Sequence, residues 1–401
     1  MTVDMLNEYQ KNYTRLLKEN NTSIMRSYIH TEIKPIKDEN NKCFSYFQGK
    51  TGYCWLVAAL QCISMYHEKK NGIKEIFDLN RLIFFDKLEK ANMFFTLILD
   101  NMDNDIESPI NDYVLKNAMS DKGQWSMACN LIKKYGLTPL PKAKDFGIRS
   151  THELNACISY LMRIYALEIR NQIDNKDFEK VLQTKQMAMQ KIYNMLMDFY
   201  GITCELIIYN DKEMTPQEYF KKIVQFPLED YISICVDDKE CYIEYEIEYD
   251  GNIYEESKNK FLKLPNYTFE QLIENQIMLD GFCWCSIDAG KFYIKRKKML
   301  DDSVFDLKIF FNNEKLIKLN RDIIYRYHIG HMTHAIVLYK ASEENIMFYD
   351  SAYTENSGSE CCMSRSWFEK FLFQGVIHKN LLPKNIQITT KKVTPWDFFS
   401  L

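Results

Sequence analysis

One cysteine in this chain stands where it could act as a nucleophile. Cys54 follows the run Gln48-Gly49-Lys50-Thr51-Gly52-Tyr53 and precedes Trp55 and the apolar stretch Leu56-Val57-Ala58-Ala59-Leu60. That places the sulfur where a glycine-bearing turn enters a buried helix, whose positive dipole end favours an anionic sulfur. Gln48 lies six residues upstream, close enough for its amide to fold back beside the sulfur. This amide and the Cys54 backbone N–H would form an oxyanion hole, suited to attack on a carbonyl carbon. A free cysteine is otherwise a small buried hydrophobe. None of the other eleven has a glutamine, two glycines and a following tryptophan around it.

A thiolate nucleophile needs a base, normally histidine, and a group to orient that base. Of the seven histidines, His30 and His152 have polar surroundings, His67 follows the apolar run after Cys54, and His378 lies in an apolar stretch. His328, His331 and His334 recur at spacing three, but no carboxylate motif beside them supports a metal site. His334 begins the apolar run Ala335-Ile336-Val337-Leu338-Tyr339, and Ile346-Met347-Phe348-Tyr349 runs into Asp350. A hairpin looped at Ala341-Ser342-Glu343 sets His334 opposite Asp350, with Cβ atoms about 5 Å apart. Ile336 then faces Phe348 and Leu338 faces Ile346. The pair reads as base and orienter, or as a cross-strand hydrogen bond with no chemistry.

The elements that must position these groups change character along the chain. Residues 1–45 are polar and helix-prone. From Cys54 to about Lys134 the pattern is mainly helical, with Leu82, Phe85, Leu88, Ala91 and Phe95 spaced as in an amphipathic helix. Trp125 to Tyr135 reads as a helix ended by Gly136. In the block 151–200, Leu154, Ile158, Leu161 and Ile164 repeat at helical spacing, followed by Ile192, Leu196 and Tyr200. Beyond Leu206 strands take over. The segment from Tyr242 to Tyr249 alternates, and Phe282–Ile287, Phe305–Phe311, Ala335–Tyr339 and Ile346–Tyr349 read as buried strands. Helices first and strands later make the fold class α+β.

The 401 residues suffice for two or three domains. Apolar residues make up 46% and charged residues 26%, and Tyr and Phe far outnumber Gly and Pro, which excludes a disordered or linker-rich chain. A net charge of −4 gives no reason to expect a polyanion partner. Met1 to Leu16 has no apolar signal core, and no run reaches membrane-spanning length. Twelve cysteines without disulfide-scaffold or zinc spacing read as reduced thiols in the cytoplasm. No cofactor and no metal is implied.

The segment from Gln48 to Leu60 resembles the nucleophile region of papain-like cysteine peptidases, and most of all that of the bleomycin hydrolase/aminopeptidase C family. The family's run G-x-C-W-x-F-A-A-L agrees from Gly52 to Leu60 except at Val57, and Gln48 supplies the family's upstream glutamine. The similarity continues through Phe84-Phe85-Asp86-Lys87-Leu88-Glu89-Lys90-Ala91-Asn92, Gly123-Gln124-Trp125, Lys134-Tyr135-Gly136, Met332-Thr333-His334-Ala335 and Pro395-Trp396-Asp397, covering about residues 45–401. The resemblance implies a papain-like two-lobe fold, with Cys54 on a helical lobe and His334 and Asp350 on a β-barrel lobe. About 280 residues separate Cys54 from His334, roughly 140 more than in papain-type enzymes. The excess reads as an inserted oligomerisation subdomain. The division is then 1–145 for the N-terminal segment and helical lobe, 146–275 for the insert, 276–390 for the β-barrel lobe and 391–401 for a C-terminal arm. By resemblance the activity is aminopeptidase cleavage of peptides by a homo-hexamer. Gly123, Gln124 and Trp125 would line the substrate groove, and the Leu401 carboxylate would hold the substrate's α-amine.

Besides Val57 and a tryptophan missing between Phe85 and Asp86, the chain departs from the family in three places. Asp350-Ser351-Ala352 replaces Asn-Ser-Trp. A carboxylate favours the imidazolium more than an amide does, and the missing tryptophan leaves the His334 pair wetter or covered by another aromatic. Lys122 replaces a glycine beside the groove, and Phe398-Phe399-Ser400-Leu401 replaces a Pro-Met-Gly-type ending. Two other functions compete. Transglutaminase-like acyl transfer uses a similar Gly-x-Cys-Trp, and a catalytically weakened scaffold could serve as a binding protein. The basic run Lys295-Arg296-Lys297-Lys298 reads as a solvated loop, or as a nucleic-acid contact, which would show steep salt dependence.

Overall fold

Helix α1 (Cys54–Asn71) is buried without a break from Trp55 to Ser64. A helix apolar around its whole circumference must be covered on every side. Helices α2 (Leu79–Asp100), α3 (Pro109–Lys116) and α4 (Trp125–Tyr135) follow it, and α2, α4 and two strands of a large sheet pack on it. The computed structural model describes residues 46–140, 150–201, 206–209, 212–237, 239–305, 320–352, 360–384 and 386–398. The expectations for residues 1–45, for most of the Phe305–Phe311 strand and for Leu401 lie outside the described residues.

Helix α2 departs from its expected amphipathic form. Asp86, Lys87 and Glu89 are as buried as its apolar residues, at 0%, 0% and 1% exposure. Buried charge requires partners, and each has one. Asp86 receives the Tyr53 hydroxyl at 2.9 Å and Lys90 at 2.8 Å. Lys87 pairs with Asp121 at 2.7 Å. Glu89 meets Lys134 at 2.6 Å and the Tyr135 hydroxyl. Helix α4 has the expected bounds, with Gly136 at φ +67° as its stop.

Helices α5 (His152–Asp174) and α6 (Phe178–Tyr200) form an antiparallel pair, and α6 packs on α2. The inner face of α5 runs Leu154, Ile158, Met162, Tyr165 and Ile169. Ile164, expected inside, is 44% exposed. The 3.6-residue period carries the buried stripe past it.

Among the described residues β1 (Ile207–Tyr209) and β2 (Lys212–Met214) pair as a separate antiparallel ribbon, and the other eleven strands form one sheet. Its centre is β3 (Tyr231–Cys235), β12 (Leu372–His378), β6 (Cys283–Ile287), β9 (His334–Ala341) and β10 (Asn345–Tyr349), in that order. β5 (Lys260–Lys263), β4 (Ile243–Ile247) and β13 (Thr389–Val393) extend it beyond β3. The expected boundary at residue 275 cuts the helix Asn266–Asp280 and divides one sheet, because β3, β4 and β5 hydrogen-bond into the same surface as β6 and β12. The arm before residue 398 is held by β13 pairing parallel to β4 and by Trp396, which stacks on Tyr249 with ring centroids 6.1 Å apart.

The β9–β10 register differs from the expected hairpin. Phe348 pairs with Leu338 and Tyr349 with Val337, and an irregularity follows at Met347. The turn is Ser342 to Glu344, closed by the Ser342 N–H on Asn345 O at 2.9 Å. Next to the catalytic candidates the slip is two residues, and an even slip leaves each side chain on its original face. His334 pairs across the other edge with Ile287 of β6. It still shares a face with Asp350, now on a diagonal.

Gly123 lies against the Trp55 indole, and a Cβ there would come within 2.4 Å of the ring. Gly123→Ala is expected to cost about 1–3 kcal/mol through displacement of this ring. A urea unfolding curve should show a lower midpoint at unchanged slope. An unmoved midpoint would mean that the ring has room to yield.

Candidate active site

Cys54 is the first residue of α1 and is half-buried. The Tyr53 side chain makes no cap and turns instead to Asp86. The opening amides of α1, that of Cys54 among them, therefore point out of the helix without an intrahelical acceptor. Both neighbours of Cys54 are tied down. The Trp55 indole N–H donates to Asp121 O at 2.7 Å, and the Trp284 indole N–H donates to Trp55 O at 3.0 Å. Trp284 belongs to β6, so the sheet reaches across to hold the start of the helix.

His334 opens β9 and approaches from that sheet. Its Nε2 lies 2.7 Å from Asp350 Oδ1, and the same oxygen accepts the Ala352 N–H at 2.8 Å. The ring also hydrogen-bonds Cys54. With Nε2 on Asp350, Nδ1 is the nitrogen left to face the sulfur. Burial by itself would lower the His334 pKa. The Asp350 hydrogen bond, the Cys54 hydrogen bond and charge, and the Asp350 charge together raise it to about 10. The ring is therefore cationic at neutral pH. A raised histidine pKa stabilises the fold fully below the ordinary value of 6.5, and that contribution fades as pH rises through about 10. The replacement of tryptophan by Ala352 has not exposed the pair. The two side chains are 9% and 10% exposed, and Tyr46 and Tyr349 line the small cavity at Asp350 and Ser351.

Gln48 is held by the residue after Asp350. Its N–H donates to Ser351 O at 2.9 Å, and the Ser351 hydroxyl donates to its Oε1 at 2.7 Å. Its Nε2 donates one hydrogen to Thr51 O at 2.9 Å, which leaves the second for another acceptor. The structure thus draws Gln48, Cys54, His334 and Asp350 into one connected group.

The other expected groove residues are placed differently. Trp125 is 4% exposed, with its ring among Trp284, Phe226 and Tyr231. Large aromatic area is most stable in a core, so Trp125 joins α4 to the sheet instead of facing a groove. Gly123 is covered on one side by Trp55. Gln124 is half-buried at the start of α4, with an Oε1 that has no partner. Lys122 is exposed, and its carbonyl accepts Lys90 Nζ at 2.7 Å. His67 lies within α1 and is buried against Asn71 and Glu75. Sequence reasoning missed Ser351, Trp284 and Asp121. Ser351 stood beside Asp350 in its motif and Asp121 opened the run to Trp125, whereas Trp284 carried no local signal.

A helix-borne thiol against a sheet-borne imidazole defines a papain-like cysteine-type peptidase with an α+β fold. The chain belongs to the Peptidase C1-like family, whose model matches residues 14–400. It is 26% identical over 386 residues to aminopeptidase C of Lactobacillus delbrueckii subsp. lactis, covering 87% of this chain and 84% of the relative. Aminopeptidase C of Listeria monocytogenes serovar 1/2a is 25% identical over 443 residues, covering 99% and 98%. Cysteine proteinase 1, mitochondrial, of Saccharomyces cerevisiae is 25% identical over 421 residues, covering 96% and 84%. The crystal structure of PepW from Lactobacillus rhamnosis HN001 superposes with a TM-score of 0.77 at 24% identity, over 99% of this chain and 98% of that one.

Asp350→Asn keeps an oxygen for both His334 and Ala352 and removes only the charge. The alkaline limb of kcat/KM is expected to move down by about one to three pH units, since an opposite charge at contact supplies a shift of that size. A pH–rate profile identical to wild type would show that the carboxylate charge does not hold the histidine proton.

Proposed function

We propose that this protein is a cytoplasmic cysteine aminopeptidase that removes N-terminal residues from peptides through a Cys54–His334–Asp350 triad. The observation that carries this reading is the His334 ring, bonded at once to Asp350 and to Cys54. The full-length aminopeptidase C relatives supply the substrate class. The thiols of Cys62, Cys235, Cys283 and Cys285, buried and outside any disulfide, fit a reducing compartment. Among the described residues no helix is long and apolar enough to cross a membrane.

The reaction follows from the geometry. The Cys54 sulfur attacks the carbonyl carbon of the first peptide bond. The developing oxyanion is met by the Cys54 N–H and by the Gln48 amide hydrogen not engaged by Thr51. The tetrahedral intermediate collapses as His334 gives its proton to the departing amine, leaving a thioester on Cys54. Water then attacks the thioester while His334 takes its proton, and the free amino acid leaves. Asp350 keeps the ring in position and stabilises its cationic form.

The helix pair α5–α6 fits the reading of an inserted self-association element. Tyr160, Ile164 and Leu167 lie at positions i, i+4 and i+7 of α5 and are 70%, 44% and 63% exposed. We assign this stripe to the contact between copies in a homo-hexamer. Leu167→Glu is expected to reduce the assembly to smaller species in sedimentation velocity, and a wild-type profile that is already monomeric would refute the assignment.

Purified protein should hydrolyse aminoacyl-coumarin substrates, and Cys54→Ala should lose at least about a thousandfold in kcat. N-acetylation of the same substrates should abolish turnover. Equal cleavage of blocked and free substrates would remove the aminopeptidase reading. Amine incorporation in place of hydrolysis would assign acyl transfer, and binding without turnover would assign a binding scaffold.

A further inference from the structure

Asp121 stands where three elements meet the turn that carries the nucleophile. Its Oδ2 accepts the Gly52 N–H at 3.2 Å and the Thr151 hydroxyl. Its Oδ1 accepts Lys87 Nζ at 2.7 Å and Asn155 Nδ2 at 2.8 Å. Its backbone carbonyl accepts the Trp55 indole at 2.7 Å. Gly52 and Trp55 flank Cys54, so a single residue grips the chain on both sides of the sulfur. Lys90 fixes the segment around Asp121 through the carbonyls of Ser120, at 3.1 Å, and Lys122, at 2.7 Å. Lys87 is 0% exposed and Thr151 1% exposed. Burial by itself would raise the Asp121 pKa. The Lys87 charge and the hydrogen bonds from Lys87, Thr151 and Asn155 bring it down to about 2, so the carboxylate stays ionised throughout the neutral range.

A carboxylate present only to neutralise Lys87 would need no bond to Gly52, and the backbone carbonyl of the same residue holds Trp55. The bonds to those two residues place Asp121 in the path by which the backbone sets the direction of the sulfur. Thr151 and Asn155, at the start of α5, connect the same carboxylate to the helix pair 152–200. We propose that Asp121 is a positioning residue for Cys54, clamping Gly52 and Trp55 so that the sulfur meets His334, and linking that alignment to the first turn of α5. This proposal rests on the peptidase reading for its meaning, but not for its test. A nucleophile displaced by a fraction of an ångström loses rate without losing substrate affinity.

Asp121→Asn retains the side-chain size and the Trp55 bond while removing the charge and one acceptor. Its kcat is expected to fall by about tenfold or more, with KM within about twofold of wild type. Iodoacetamide alkylation of Cys54, followed by peptide mass, should slow by a similar factor. Asn155→Ala should give the same pattern at smaller size, because Asn155 bonds both Asp121 and its partner Lys87 and touches neither Cys54 nor the turn before it. Lys134→Met is the control, since it breaks the Glu89 pair in the same helical layer and should lower the melting temperature while leaving kcat, KM and alkylation unchanged. Alkylation needs no peptide, so it judges the proposal even where no peptidase activity is found. The proposal is overturned if Asp121→Asn lowers the melting temperature but leaves alkylation and kcat at wild-type values. Should that variant not fold, the same result with Asn155→Ala overturns it.

Discussion

The site depends on one contact between two parts of the chain: a sheet-borne imidazole held between the Asp350 carboxylate and the Cys54 sulfur. His334 can carry its proton to about pH 10 because both partners are close enough to outweigh the burial of the cation. Asp350 Oδ1 accepts two hydrogens, one from the ring and one from the Ala352 backbone. The carboxylate is thereby aimed by its own strand end. Because the ring is buried, its partners are felt strongly; in water the same charges would be screened to little effect.

That contact requires a rigid start to α1. The helix cannot cap itself with Tyr53, whose hydroxyl serves Asp86. Rigidity comes from outside, through Trp284 on Trp55 O, Asp121 on Gly52 and Trp55, and Ser351 on Gln48. The charged run of α2 supplies the buried ions behind this scaffold. Ions this deeply buried are costly unless paired and hydrogen-bonded, and Asp86, Lys87 and Glu89 are all paired. The same ionic layer therefore serves the packing of α2 and the alignment of the nucleophile turn.

Sequence reasoning failed where contacts were long-range or where charge was buried. It read the segment that holds Asp86, Lys87 and Glu89 as an amphipathic helix, because periodicity has no means of recognising a buried charge with a distant partner. It placed Trp125 in a substrate groove, whereas the ring fills the space between α4 and β6. It cut the chain at residue 275, although β3, β4 and β5 join the main sheet. It set His334 directly opposite Asp350, and a turn that lies later in the chain, partly offset by the irregularity at Met347/Phe348, moved them to a diagonal. That last error did no harm to the site, since strand faces alternate every two residues and the slip near the pair was two.

What the sequence determined by itself was chemical type and local form. The glycine-bearing turn before an apolar run put Cys54 at a helix start, Gly136 ended α4, and the apolar run after His334 made a strand with Asp350 on the same face. Local sterics and patterning are enough for these, because each rests on neighbours within a few residues. Tertiary structure alone decided that Ser351 would hold Gln48, that Trp284 would reach α1, and that Asp121 would gather Lys87, Asn155 and Gly52. Those partners lie 34 to 303 residues apart, and only the closing of the helices onto the sheet brings their dipoles and charges within hydrogen-bonding range.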